Sequence, residues 1–194
     1  VRRLPARRPR KHSSLYYRNL MIAVGSFIFT FGAALTRGVD LVSMLWFLPL
    51  LYLNYLVWVS FAGVHPPRRR LPRWTPREFD MEYEEVEFRS RDGLRLAGWF
   101  IPSHNGAVVI LVHGAGGAKV AMLKHAQLLV TEGFGALLFD LRAHGDSEGD
   151  TINGFDEAND LLGAVDYLRL RNDLDRNRIG VLGISLGALV TMRA

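Results

Sequence analysis

Gly183-Ile184-Ser185-Leu186-Gly187, whose serine stands nine residues before the last residue of the sequence, decides how the rest is read. A serine hydroxyl is a poor nucleophile; it has to be exposed and activated by a base. A sharp turn from strand to helix exposes it, and the crowded backbone of such a turn needs small residues two before and two after the serine. Gly183 and Gly187 occupy those positions. In a chain with 19 glycines the bare pattern arises by chance with a probability of roughly 0.1, so its setting has to carry the weight. The setting agrees: 179–182 have a strand pattern and 186–192 suit a helix. The helix N-terminus behind Ser185 presents N–H groups to a developing oxyanion.

Two further stretches belong with it. Leu111-Val112-His113-Gly114-Ala115-Gly116-Gly117 ends a short apolar run, and its glycines let the backbone turn N–H groups toward a substrate oxygen. The N–H groups of Ala115 and Leu186 are the expected oxyanion donors, with Gly116 in reserve for the first. A phosphate-binding reading of this loop fails, because the G-x-x-x-x-G-K-[ST] spacing is absent and Lys119 is misplaced for it. His113 has the chemistry of a general base, but an anchoring role within the loop suits its position better. The other stretch is Phe139-Asp140-Leu141-Arg142-Ala143-His144-Gly145-Asp146-Ser147.

In this order and spacing, the three stretches resemble the α/β-hydrolase superfamily over residues 83–194. Members often carry an H-G-x-G loop, a D-x-R-x-x-G-x-S loop after the next strand, and G-x-S-x-G after the strand that follows. Here these are His113 to Gly116, Asp140 to Ser147, and Gly183 to Gly187. The resemblance implies Ser185 as nucleophile, the Ala115 and Leu186 amides as oxyanion hole, a structural loop pair for Asp140 and Arg142, and a turn role for Ser147. It implies no cofactor and no metal. The family order is Ser, then acid, then His. Only nine residues follow Ser185, and none is Asp, Glu or His. His144 and Asp146 precede the serine on a neighbouring loop, and a triad built from them would need a geometry foreign to the family. The sequence is therefore expected to be an N-terminal part of such a domain, inactive by itself; Val1 in place of an initiator Met agrees with that.

Composition divides the chain. The net charge of +5 is concentrated in 1–18 and 68–77, on both sides of a nearly uncharged region, 19–64. Hydrophobic residues make up 49% of the chain, high for a wholly soluble protein. Runs 20–35 and 41–64 are apolar, and Thr36-Arg37-Gly38-Val39-Asp40 separates them. The second run would span about 36 Å as a helix, against a bilayer core of about 30 Å. Two transmembrane helices in a hairpin are expected, with both basic flanks cytoplasmic by the positive-inside rule. A cleaved signal peptide over 20–34 fits less well, given the long basic tail and the second run. The basic charge does not point to nucleic acid, since no nucleic-acid-binding motif accompanies it. With no cysteine, disulfides, thiolate metal sites and a cysteine nucleophile are excluded for these residues.

The expected organisation is a basic tail (1–18), two membrane helices (19–64), a Pro/Arg-rich linker (65–80) and the first part of an α/β-hydrolase domain (81–194). Within the last, strands are predicted at 81–88, 94–101, 107–112, 135–139 and 178–183. Helices are predicted at 120–132, 155–170 and from Leu186 onward. Asp160, Asp166 and Arg169 are expected on the solvated face of the second helix. The fold class is α/β, with a mostly parallel sheet entered by an N-terminal hairpin. The expected reaction is hydrolysis of an ester, thioester or amide through an acyl-enzyme, on lipophilic acyl substrates at a membrane. An acyltransferase of the same fold and an inactive membrane scaffold are the alternatives.

Overall fold

The run Gly135–Phe139 is buried at all five positions, as a strand covered on both faces must be. In the computed structural model, which describes residues 25, 32, 45, 48–65, 72 and 74–194, it is the central strand of a five-stranded sheet. The strands are β1 (Glu84–Arg89), β2 (Arg95–Ile101), β3 (Val108–Val112), β4 (Gly135–Phe139) and β5 (Ile179–Gly183), in the spatial order β1-β2-β4-β3-β5. β1 pairs antiparallel with β2, and β2 antiparallel with β4. β3 pairs parallel with β4 and with β5, placing Ile110 opposite both Leu137 and Val181.

Side chains alternate between faces along each strand. Ile110, Val112, Leu137 and Phe139 join Phe88, Phe100, Leu161 and Leu168 in one core. Leu111 and Leu138 face the other way, with Trp99, Met122, Leu123 and Ala126. The helix α2 (Leu123–Thr131) contributes to the second core, and α3 (Glu157–Arg169) and α4 (Leu186–Arg193) to the first. Each parallel strand therefore ends at one edge of the sheet, and the loops after β3, β4 and β5 meet there.

The five strands and three helices lie within a few residues of their predicted places. One predicted helix divides, with a 3-10 turn over Lys119–Met122 leading into α2. Among the described residues β5 has a partner on one side only.

The chain divides into two units, 1–60 and 61–194. The helix α1 (Leu48–Val64) has 17 residues, with Pro49 in its first turn, where a missing N–H costs nothing. Leu51, Tyr52, Leu53, Tyr55, Leu56, Val57, Trp58 and Val59 are all exposed. Among the described residues no helix is long and apolar enough to cross a membrane. Of the expected second membrane helix, over 41–64, the described helix covers Leu48–Val64, and 41–44, 46 and 47 lie outside the described residues. Of the first, over 20–35, only Gly25 and Gly32 are described; the tail 1–18 and the linker residues 66–71 and 73 lie outside the described residues. The hairpin is not shown.

Candidate active site

Ser185 stands between β5 and α4 with φ 55° and ψ −115°. A side-chain-bearing residue at such a φ costs on the order of 1–3 kcal/mol, so the surroundings have to hold it there. They do so through the backbone. The Ile184 N–H donates to Val112 O at 3.0 Å, the Gly187 N–H to Ile184 O at 2.9 Å, and the Ala188 and Leu189 N–H groups to Ser185 O. A Cβ on Gly183 would overlap the Gly187 carbonyl, and one on Gly187 would overlap the Val112 carbonyl. Both glycines are therefore required by close approach. Gly114 packs directly on the serine: a Cβ there would stand 3.2 Å from Ser185 Cβ.

Ser185 and Ala115 are exposed. Leu186 is the first helical residue of α4, so its N–H has no intrahelical partner. Neither the Leu186 N–H nor the Ala115 N–H donates to an acceptor among the described residues. The reserve donor fares differently, because the Gly116 N–H donates to His144 Nε2 at 3.0 Å. Gly116 is therefore not available as an oxyanion donor.

Both histidines of the loops are buried and bonded to backbone. His113 Nε2 accepts the Leu141 N–H at 3.1 Å, and Nδ1 lies 2.8 Å from Gly114 O, to which it donates. Burial pushes the His113 imidazole down to about 4, so the ring is neutral near pH 7. His144 Nδ1 donates to Arg142 O at 2.8 Å. Each lone pair at Nε2 is already used, so neither ring serves as the base for Ser185.

The expected pairing of Asp140 with Arg142 is not the one found. Asp140 is held by Lys119, through its N–H at 2.7 Å and its ammonium at 2.6 Å, and by the Asp146 N–H at 2.9 Å. Lys119 also reaches Asp146 at 3.0 Å. Arg142 instead grips Asp160 through its N–H, Nε and Nη2, and contacts Asp92. Asp160 is fully buried rather than solvated, and burial pushes its carboxyl up to about 6. Asp166 is exposed as expected, paired with Arg91. Ser147 is in a turn but buried, donating to Asp140 O and accepting the Ala97 N–H.

Lys119 and Asp160 are structural residues that the sequence reading missed. A signal existed for Asp160: Glu157, Asp160, Leu161, Ala164 and Leu168 form one helical stripe, and all are buried. Nothing local marks Lys119, whose partners lie 21 and 27 residues away. Among the described residues no group of His, Asp or Glu is arranged to hold a metal ion.

Comparison with known proteins agrees with this geometry. The model of the "Alpha/beta hydrolase family" matches residues 109–194. The crystal structure of the Pyrococcus furiosus esterase Pf2001 superposes with a TM-score of 0.63 and 38% identity, covering 68% of this chain and 50% of that one. The uncharacterized protein YfhR of Salmonella typhi is 38% identical over 112 residues, 55% of this chain and 38% of YfhR. The thiohydrolase aneE of Aspergillus aculeatus is 32% identical over 117 residues, 58% of this chain and 37% of aneE. The chain thus spans half or less of the length of these relatives. Residues 109–194 thus resemble the α/β-hydrolase family in sequence, and the sheet order and the strained serine turn agree with that likeness.

Proposed function

We propose that the protein is a serine hydrolase that cleaves an ester, thioester or amide through an acyl-enzyme on Ser185. The observation that carries this is the strained backbone of Ser185, caged by Gly183, Gly187 and Gly114 on an exposed strand-to-helix turn. Strain of this kind is retained where it exposes a reacting atom. Ser185 Oγ attacks the acyl carbon, its proton passes to a base, and the carbonyl oxygen takes the negative charge. The Ala115 and Leu186 N–H groups, which have no acceptor among the described residues, meet that charge. The base then protonates the leaving group, and water releases the acyl chain. His113 and His144 are committed to backbone groups, so the base is a third residue. The likeness to an esterase and to a thiohydrolase supports acyl chemistry.

The lipophilic character of the substrate and a place at the membrane are the finer part of the proposal. They are supported by α1, which exposes apolar side chains on every side, and by the basic residues that flank region 19–64 in sequence. Both flanks and the catalytic unit would lie on the cytoplasmic side. Single cysteines introduced as Arg10→Cys and Arg68→Cys should resist an impermeant thiol reagent in intact cells, and Gly38→Cys should react. Labelling at 68 in unpermeabilised cells rules this topology out.

The enzymatic proposal is tested with a fluorophosphonate probe on the complete natural protein. Labelling is expected, and Ser185→Ala should abolish it. Labelling that survives Ser185→Ala and disappears with Ser147→Ala would show that the nucleophile is misassigned, and a complete absence of labelling would favour the inactive scaffold.

A further inference from the structure

His113 follows β3 directly, and its side chain is fully buried. Its ring joins two loops. Nε2 accepts the Leu141 N–H at 3.1 Å, from the loop after β4, and Nδ1 lies 2.8 Å from Gly114 O. A backbone N–H only donates, so Nε2 carries the lone pair and Nδ1 the proton. The ring also packs edge to face on His144, with centroids 4.9 Å apart. Its tautomer and its orientation are therefore set from outside its own loop.

The oxygen that the ring grips belongs to the Gly114–Ala115 peptide, whose N–H is the Ala115 donor. The peptide is planar, so its C=O and N–H point opposite ways and fixing one fixes the other. Gly114 needs that restraint. A glycine offers little resistance to turning of the peptide that follows it, and a Cβ at this position would stand 3.2 Å from Ser185 Cβ. Two bonds supply the restraint. The Gly117 N–H reaches Gly114 O at 3.1 Å, but that bond closes the turn 114–117 on itself and moves with it. The His113 bond is the shorter, and through Leu141 it refers the peptide to the loop after β4. The other ties between the two loops act further on. The Gly116 N–H on His144 and the Lys119 N–H on Asp140 hold the peptides 115–116 and 118–119. The ring has a second effect, because hydrogen bonds in a chain polarise one another. The Leu141 N–H, the imidazole and the Gly114 carbonyl form such a chain, and it ends on the Ala115 N–H.

We propose that His113 is a positioning residue: through its Nδ1–H it fixes and polarises the Gly114–Ala115 peptide, and so aims the Ala115 N–H at the developing oxyanion. This rests on the acyl-enzyme reading of Ser185. His113 touches no reacting atom; it acts through the peptide it holds.

The test uses the complete natural protein, with Ser185 titrated to completion by fluorophosphonate so that rates are expressed per active site, and p-nitrophenyl butyrate as substrate. Two variants each keep one half of the ring's bonding. The amide of His113→Asn starts at Cγ, as the ring does, so its nitrogen falls at the place of Nδ1 and still donates to Gly114 O. His113→Gln is one carbon longer; its oxygen reaches the place of Nε2 and accepts the Leu141 N–H, and the Gly114 bond is lost. Both should lower Tm. Only His113→Gln should lower kcat per titrated site, by about 10- to 100-fold with KM nearly unchanged, less than outright loss of an oxyanion donor because the Gly117 bond remains. Inhibition by a trifluoromethyl ketone, which forms a tetrahedral oxyanion on a serine, should weaken in His113→Gln by the same factor as kcat. A purely structural role lowers Tm and the titrated fraction in both variants and leaves their kcat per site equal; that result with a labelled wild type overturns this inference alone. If His113→Gln does not fold, His113→Asn decides. Its kcat per site near the wild-type value supports the proposal, and a loss as large as that expected for Gln overturns it. A wild type that is not labelled at Ser185 overturns the acyl-enzyme reading and this inference with it.

Discussion

The Lys119 ammonium lies 2.6 Å from the Asp140 carboxylate, and both side chains are buried. The pair joins the loop after β3 to the loop after β4 just beyond His113–Gly117. Asp140 also takes two backbone N–H groups, from Lys119 and Asp146, and Gly145 passes so close that a Cβ there would overlap the carboxylate. The two loops beside Ser185 are thus braced by a buried charge pair.

Breaking that pair from one side should be expensive. Lys119→Met leaves a buried carboxylate without its counter-charge and is expected to destabilise by about 3–5 kcal/mol in denaturant unfolding. The double variant Lys119→Met/Asp140→Asn should cost less than the sum of the single changes, because the neutral amide oxygen still accepts N–H groups. Additive losses in the double-mutant cycle would show that the two charges are not coupled.

The elbow glycines and a neighbouring glycine make a matched set. Gly187→Ala forces a methyl into the Val112 carbonyl and should cost several kcal/mol and abolish probe labelling. Gly163→Ala, where α3 crosses the Arg89 carbonyl, should destabilise similarly without a direct effect on Ser185. Gly180→Ala has its nearest neighbour atom at 3.7 Å and should be neutral or stabilising by about 0.4–1 kcal/mol. Thermal melts of the three variants check the order.

Strain at Ser185 predicts a trade of activity for stability. Ser185→Gly should lose all labelling and gain about 1 kcal/mol of stability, because glycine adopts φ 55° without penalty. A loss of stability in this variant would mean that the turn is not strained.

The pH dependence of stability carries a signature of His113. Its folded value is about 4, against an ordinary 6.5, because burial disfavours the charged ring. Between these values the unfolded chain binds a proton that the folded chain refuses. Stability therefore falls as pH drops from about 6.5 to about 4, by about 3 kcal/mol for this group. Asp160, raised from 3.8 to about 6, acts in the opposite sense, its contribution being lost as pH rises through 6. The comparison that isolates His113 is wild type against His113→Asn. The gap in unfolding free energy should be widest at pH 7 and shrink by about 3 kcal/mol by pH 4. A gap independent of pH would show that His113 is not held neutral.

What was legible in the sequence was local. Continuous apolar runs such as 135–139 mark doubly covered strands, and the small residues around Ser185 mark a turn too tight for a Cβ. Both patterns are dictated by the backbone within a few residues of themselves. The strand-to-helix turn at Ser185 and the α/β layering follow from them. Tertiary structure decided what meets across the chain. It gave Asp140 to Lys119 and Arg142 to Asp160, and it gave the Gly116 N–H to His144. It also buried Asp160, expected on the solvated face of its helix, in one stripe with Glu157, Leu161, Ala164 and Leu168. Periodicity reports which face of an element is covered. It does not report which loop lies opposite, because a buried charge or a histidine lone pair is satisfied by whichever group the sheet order brings to the same edge.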